Sequence, residues 1–254
     1  MVAGQVTMWN LIPRRLPMNS QLLQWSPFAT LLEKEISKKP HNILFDVGYQ
    51  ESLDAIGKGG EFNLAGLDLT TPAGVSPPRP GSSTEFICRN WSAAGLGNAG
   101  GRLLELGTGS GALALYAARQ GWSVTGTDID EVAVHTAKRN AVRNGLEAEF
   151  VCSNLFASLK YNRFDVILFN LPFVHKSQVR LEERALASAN GELTQRFLDQ
   201  AASYLEPGGM LVFSYSNCSD DRLLDRSDWS FRLVACDYES LGQYWRVLLV
   251  GRPT

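Results

Sequence analysis

The stretch Leu103-Leu104-Glu105-Leu106-Gly107-Thr108-Gly109-Ser110-Gly111-Ala112-Leu113-Ala114-Leu115 sets the architecture of the chain. A short apolar run carrying one acid enters a glycine turn, and an alanine- and leucine-rich helical pattern follows. This is the order of a buried parallel strand, a tight loop and a helix. In doubly wound sheets ligands gather at such strand ends. Gly107, Gly109 and Gly111 alternate as G-x-G-x-G, so the backbone can turn sharply and come close to a ligand where a Cβ would collide. A dinucleotide-binding turn reads G-x-G-x-x-G. Here the third glycine comes one residue earlier, and Glu105 precedes the first. The spacing disfavours a nicotinamide cofactor and points to a different nucleoside cradle, with Glu105, Gly107, Thr108, Gly109 and Gly111 as its candidate residues.

A second strand over residues 122–127 runs into Asp128-Ile129-Asp130. It places the Asp128 carboxylate about twenty residues after the glycine loop, where a ribose diol would lie. Asp130 is better placed to cap the next helix, whose apolar positions are Val132, Val134, Ala137 and Ala141. Glu149-Phe150-Val151-Cys152 reads as a third strand, and Ser153-Asn154-Leu155-Phe156 follows it. The Asn154 side chain can both donate and accept, as an adenine edge requires, although asparagine also serves plain turns. Ile129 and Leu155 join the candidate cofactor residues.

The fourth strand, residues 164–169, ends at Asn170-Leu171-Pro172-Phe173. A conjugated amide or aromatic amine is a weak nucleophile. Its lone pair becomes available when acceptors hold its N–H groups and a flat face pins its π system. The Asn170 side-chain oxygen and the Leu171 carbonyl are candidate acceptors, Phe173 the candidate stacking face, and Pro172 stiffens the turn.

With these motifs the chain resembles the class I methyltransferases, and among them the protein-glutamine methyltransferases that modify peptide-chain release factors. In that family the fourth strand ends in Asn-Pro-Pro-Tyr, which binds the glutamine amide. Asn170 and Pro172 match this pattern, and Leu171 and Phe173 depart from it. Asn-Leu-Pro-Phe is also similar to the tetrapeptide of ribosomal RNA adenine dimethyltransferases, and residues 152–156 resemble the ribosomal RNA guanine methyltransferases. Residues 62–69, then 74–80 and Thr84-Glu85, resemble the hairpin and Pro-Arg-Pro-x-Thr-Glu segment of the glutamine enzymes, with two residues inserted. Ala235-Cys236-Asp237-Tyr238, Arg246-Val247 and Gly251-Arg252 resemble their final strand pair. The resemblance covers roughly residues 60–252. It implies S-adenosylmethionine as cofactor and methyl transfer to a planar nitrogen, most of all a glutamine side chain of a protein partner. An exocyclic amine of an RNA base or small molecule, or a cofactor-binding protein without turnover, stay as alternatives. Asn170 then counts among both the catalytic and the cofactor-binding residues.

The chain has 254 residues, 44% apolar and 20% charged, ordinary usage for a folded enzyme with one sizeable core and a smaller lobe. Its net charge of −2 supplies no global field to draw a polyanion. Arg222, Arg226 and Arg232 alternate with aspartates and read as a solvated helix face. Cys88, Cys152, Cys218 and Cys236 lie far apart without metal spacing and read as buried thiols, and His41, His135 and His175 share no metal spacing. No metal is therefore expected. No apolar run reaches the eighteen or so residues of a membrane span, and the N-terminus lacks a secretory core, so a cytoplasmic enzyme is expected.

The expected fold is α/β: a doubly wound, seven-stranded, mostly parallel sheet of the class I methyltransferase type with a small N-terminal lobe. Residues 1–94 would form the lobe, a helix plus hairpin suited to substrate recognition, and residues 95–254 the S-adenosylmethionine-binding catalytic domain. Along the chain, a helix is expected over residues 27–38, a strand over 41–49 and a substrate lid over 174–191. A helix over 193–205 would stop at Glu206-Pro207-Gly208-Gly209, and two closing strands would pair antiparallel.

Overall fold

The computed structural model describes residues 43–97, 100–159, 162–216, 218–219, 221–239 and 244–254. The helix expected over residues 27–38 lies outside them. Helix α1 (Ile43–Lys58) leads into a hairpin of β1 (Gly60–Leu64) and β2 (Leu67–Thr71), and α2 (Ser83–Arg89) follows. The strand expected over 41–49 is overturned in its described part, because the chain is helical from Ile43. The apolar cluster of Ile43, Leu44, Phe45 and Val47 has strand-like composition, and only the longer window to Ile56 reveals the helix.

Alternation then builds the central sheet from β3 (Arg102–Leu106), β4 (Ser123–Asp128), β5 (Glu149–Cys152), β6 (Phe164–Phe169), β9 (Leu205–Ser216), β10 (Trp229–Glu239) and β11 (Tyr244–Pro253). The intervening helices are α3 (Ala112–Arg119), α4 (Glu131–Asn144) and α5 (Glu192–Ala201). Strand order is β10-β11-β9-β6-β3-β4-β5, with β11 alone reversed. Successive side chains of a strand point to opposite faces. Accordingly Val166, Leu168, Val212, Leu248 and Val250 enter one core, and Ile167, Phe169, Phe213, Val247 and Leu249 enter the other. Phe197 of α5 meets Phe169 and Phe213 edge-on at 5.3 and 5.8 Å. The chain reverses its direction of winding between β3 and β6, so the rim at their carboxyl ends is the switch point where ligands settle in such sheets.

The hairpin docks on α4 through two asparagines one turn apart. Asn140, fully buried, accepts from Thr70 N at 3.0 Å and donates to Thr70 O at 3.0 Å and to Ser110 O at 2.8 Å. Asn144 accepts from Asp68 N and donates to Asp68 O, both at 2.9 Å. The side-chain amides thus pair with β2 as a neighbouring strand would, and one of them also reaches the glycine loop.

Other expectations shift. Residues 174–190 hold two short parallel strands, β7 (Val174–Lys176) and β8 (Ala187–Ala189), around a 3-10 turn Leu181–Glu183. The helix expected over 193–205 ends at Ala201, a 3-10 turn Ala202–Tyr204 follows, and β9 already begins at Leu205, so Pro207 and its glycines fall within the strand. Cys88 is buried, but Cys152 is exposed at the end of β5 and Cys218 and Cys236 are half-buried. Arg222, Arg226 and Arg232 share no helix face. Arg226 bridges Asp199 and Asp228 at 2.8 and 2.7 Å, and Arg232 lies on β10.

Candidate active site

At the end of β3, Glu105 turns into the protein. Its buried carboxyl group accepts from Thr108 Oγ1 at 2.6 Å and from Ala114 N at 2.9 Å, tying the strand, the loop and α3 together. Burial pushes this carboxyl up to about 8, against the pull of the two donors. Thr108 is also buried, with its N–H on Thr127 O at 2.8 Å. Glu105 and Thr108 therefore shape the loop from beneath.

All three loop glycines have positive φ, but their surroundings differ. A Cβ on Gly107 would lie 2.9 Å from the Phe169 ring, and one on Gly111 would lie 2.9 Å from Ala137. These two are needed for close packing. A Cβ on Gly109 would meet no protein atom within 4 Å, which leaves its open face to a ligand.

Asp128, at the end of β4, accepts from Gly109 N at 2.8 Å through Oδ2 and from Asp130 N at 3.0 Å through Oδ1. A carboxylate offers about four lone-pair directions, so acceptor capacity remains for a diol. Desolvation raises its carboxyl above the ordinary range. Asp130 caps α4 on Val132 N at 2.8 Å. Next to Asp128 the Ile129 side chain is 58% exposed, an apolar surface at the strand end suited to the flat face of a base. Asn154 is exposed, its Oδ1 accepting from Arg196 Nη2 at 3.0 Å. Leu155 has φ 51° and a buried side chain, and its carbonyl accepts from Ser153 Oγ at 2.8 Å. The open glycine, the diol acceptor, the exposed apolar face and the amide fit an adenosyl group.

Beside this cradle, β6 delivers Asn170. Ser214 Oγ, from β9 alongside, donates to Asn170 Oδ1 at 2.8 Å, and Asn170 Nδ2 faces Thr84 Oγ1 of α2 at 3.5 Å. One side-chain oxygen lone pair is thus spoken for, and the amide is oriented from both sides. Leu171 and Pro172 are buried, and the Leu171 side chain belongs to the core on the α5 face of the sheet. Phe173 is half-buried, and its carbonyl accepts from Ser219 Oγ at 2.7 Å. The structure therefore brings the glycine loop, Asp128 and Ile129 to one rim with the tetrapeptide, and Asn154, two residues past β5, bonds Arg196 of α5. Ser214 and Thr84 were not singled out as partners of Asn170. The register that pairs Phe169 with Phe213 is the signal for Ser214. For Thr84, no sequence pattern shows the contact. Among the described residues no group of three or more His, Cys, Asp or Glu could hold a metal ion, and no helix is long and apolar enough to cross a membrane.

Comparison with known proteins gives the family and the fold. The family model described as "Methyltransferase small domain" matches residues 69–226. Over 185 residues the chain is 28% identical to the ribosomal RNA small subunit methyltransferase C of Alcanivorax borkumensis, covering 72% of this chain and 53% of the relative. Over 241 residues it is 26% identical to the release factor glutamine methyltransferase of Fusobacterium nucleatum, covering 88% of this chain and 67% of the relative. A T. thermophilus 16S rRNA methyltransferase, solved in complex with AdoMet and guanosine, superposes with a TM-score of 0.60 at 23% identity. That superposition covers 78% of this chain and 50% of the other, a likeness of fold. The chain thus spans about half the length of the Alcanivorax relative and of the T. thermophilus chain. The family match extends over more than half of the chain and takes in the glycine loop, Asp128 and the tetrapeptide, and the chain belongs to the methyltransferase small domain family, of the class I fold and with S-adenosylmethionine as cofactor.

Proposed function

We propose that the protein methylates a planar nitrogen, with the glutamine side chain of a protein partner as its acceptor. The observation that carries this reading is the Asn170 amide, held at the sheet rim by Ser214 and Thr84 beside the open glycine. Ser214 occupies one lone pair of Asn170 Oδ1, and the other is left to accept an N–H of the substrate amide. The Leu171 carbonyl, to which no described group donates, accepts the second. Phe173 stacks on the amide plane and Pro172 keeps the turn rigid, so the nitrogen lone pair is aimed rather than delocalised at random. The cofactor supplies a methyl carbon activated by its sulfonium. Gly109, Asp128 and Ile129 face it, Gly107, Thr108, Gly111 and Glu105 shape the loop, Asn154 and Leu155 follow at the end of β5, and Asn170 stands at the boundary between cofactor and acceptor. Residues 1–94 serve as a recognition lobe and residues 95–254 as the catalytic domain.

The match to a release factor glutamine methyltransferase over 88% of this chain supports a protein acceptor. The match to a ribosomal RNA methyltransferase supports the competing acceptor, an exocyclic amine of an RNA base. Incubation with methyl-labelled S-adenosylmethionine and separate protein, RNA and metabolite pools decides between them. Label on a glutamine of one protein is the expected result. Label in RNA, with strongly salt-dependent binding, would replace the acceptor, and label in no pool despite cofactor binding would reject turnover.

A further inference from the structure

We infer that Glu183 is a positioning residue for the acceptor, a buried carboxylate that fastens helix α1 and residues 174–190 together so that the stacking Phe173 and the Thr84 contact of Asn170 are placed by one tie. This inference rests on the acceptor being held by Asn170 and stacked on Phe173, as proposed above.

The Glu183 side chain is only 3% exposed. It accepts from Lys176 Nζ at 2.6 Å, Arg180 N at 3.0 Å, Tyr49 OH at 3.2 Å and Arg180 Nη2 at 3.3 Å. The Lys176 ammonium also lies 5.1 Å above the Tyr49 ring. A glutamate is almost never buried this deeply unless it is paired, and an apolar side chain would fill a loop turn at less cost. Four donors on one carboxylate therefore mark a specific tie. The hydrogen bonds from Lys176 and then Arg180 hold the carboxyl at about 2, and burial followed by the Glu183 charge pushes the Tyr49 phenol up. The carboxylate is ionised across the physiological range.

The tie reaches the acceptor site by two routes. Lys176 lies three residues after Phe173 on β7. That strand is pinned by Val174 N on Leu186 O at 3.1 Å, and Leu186 N donates in turn to Glu183 O at 2.8 Å. That backbone bond belongs to the turn itself; the carboxylate acts on the strand through Lys176, three residues beyond the stacking ring. On the other side, Tyr49 stands on α1 one turn before Ser52, and Ser52 Oγ accepts from Arg79 Nη2 at 3.0 Å. Arg79 begins the turn that leads into α2, where Thr84 faces Asn170. One helix turn of α1 thus contacts both the segment bearing Phe173 and the segment bearing Thr84, and Glu183 is the link between them across 134 residues of chain. None of the hydrogen bonds named in this network involves the cofactor cradle at the ends of β3 and β4.

Glu183→Gln keeps the shape and two acceptor lone pairs but removes the charge that holds Lys176 and Arg180; Tyr49→Phe removes the hydroxyl that ties α1 to the carboxylate. Three measurements on the full chain test the role. S-adenosylhomocysteine affinity by calorimetry should stay within about twofold of wild type, a change below half a kcal/mol. Hydrogen exchange should show residues 43–58 and 174–190 losing protection together in E183Q. With the acceptor found in the labelling experiment, KM should rise about tenfold or more while kcat changes less, and Y49F should shift KM in the same direction by a smaller factor. Unchanged exchange in either segment, or an acceptor KM equal to wild type, would overturn the inference. So would a parallel loss of cofactor affinity and acceptor turnover, which is the mark of a merely structural residue. If no pool takes label, the exchange arm still decides whether the tie exists, and the failure falls on the proposed acceptor.

Discussion

Asp128 holds the Gly109 N–H with one carboxylate oxygen and the Asp130 N–H with the other. Asp128→Ala removes the strand-to-loop bond together with the diol acceptor. S-adenosylmethionine affinity should fall by about 1.5–3 kcal/mol, the worth of hydrogen bonds to a charged group, as read by calorimetry; an unchanged Kd would take Asp128 out of the site. Asn170→Ala should leave that Kd nearly intact while turnover drops on the order of a hundredfold, the loss typical of one preorganised hydrogen-bonding group. Normal turnover in that variant would reject the acceptor clamp. The residues that order along the chain places were legible in the sequence. Strand, glycine turn, helix and next strand succeed one another, so Gly107, Gly109, Gly111, Asp128 and Asn170 could be read from local pattern. The groups that orient Asn170 could not. Ser214 and Thr84 stand 44 and 86 residues away from it, and a serine or threonine carries no periodic signal of which carboxyamide it will meet. The departure at Leu171 also has a plain reading in the structure, since its side chain packs into the core and offers the acceptor only backbone.

Between elements, the loop glycines separate two demands that look identical in sequence. At Gly111 an added Cβ would press on Ala137 of α4 at 2.9 Å with φ at 81°, whereas at Gly109 it would find open space with φ at 53°. Both alanine variants carry the left-handed backbone penalty, roughly 1–2 kcal/mol. Gly111→Ala should therefore lower stability to urea by clearly more than Gly109→Ala, while Gly109→Ala should cost more cofactor affinity at matched stability. Equal effects in both measurements would remove the distinction between a packing glycine and a ligand-facing one. Seven strands and their mostly parallel order were legible because alternating apolar residues fill two cores, one on each face. Helix α1 was not, because its first apolar cluster carries the composition of a strand. The docking of β2 on Asn140 and Asn144 was equally hidden. Two asparagines at i and i+4 read as ordinary helix surface until a hairpin 70 residues upstream is seen to use them.

For the molecule as a whole, Glu105 links the loop to pH. Burial pushes its carboxyl from 4.5 up to about 8, so over that range the folded chain retains a proton that the unfolded chain releases. Stability from this group is complete below about pH 4.5 and is lost as pH rises through about 8, with a slope of at most one proton, about 1.4 kcal/mol per pH unit. Glu105→Gln keeps an oxygen for Thr108 Oγ1 and Ala114 N, and should flatten that part of the urea stability profile of the cofactor-free protein. A profile as steep as wild type would show that another group is responsible. The exposed thiol of Cys152 ends β5, with its sulfur 3.6 Å from the Ile129 carbonyl, while Cys88 is buried and Cys218 and Cys236 are half-covered. A maleimide fluorophore would therefore react there first, and its emission would report arrival of the nucleoside without any engineered handle.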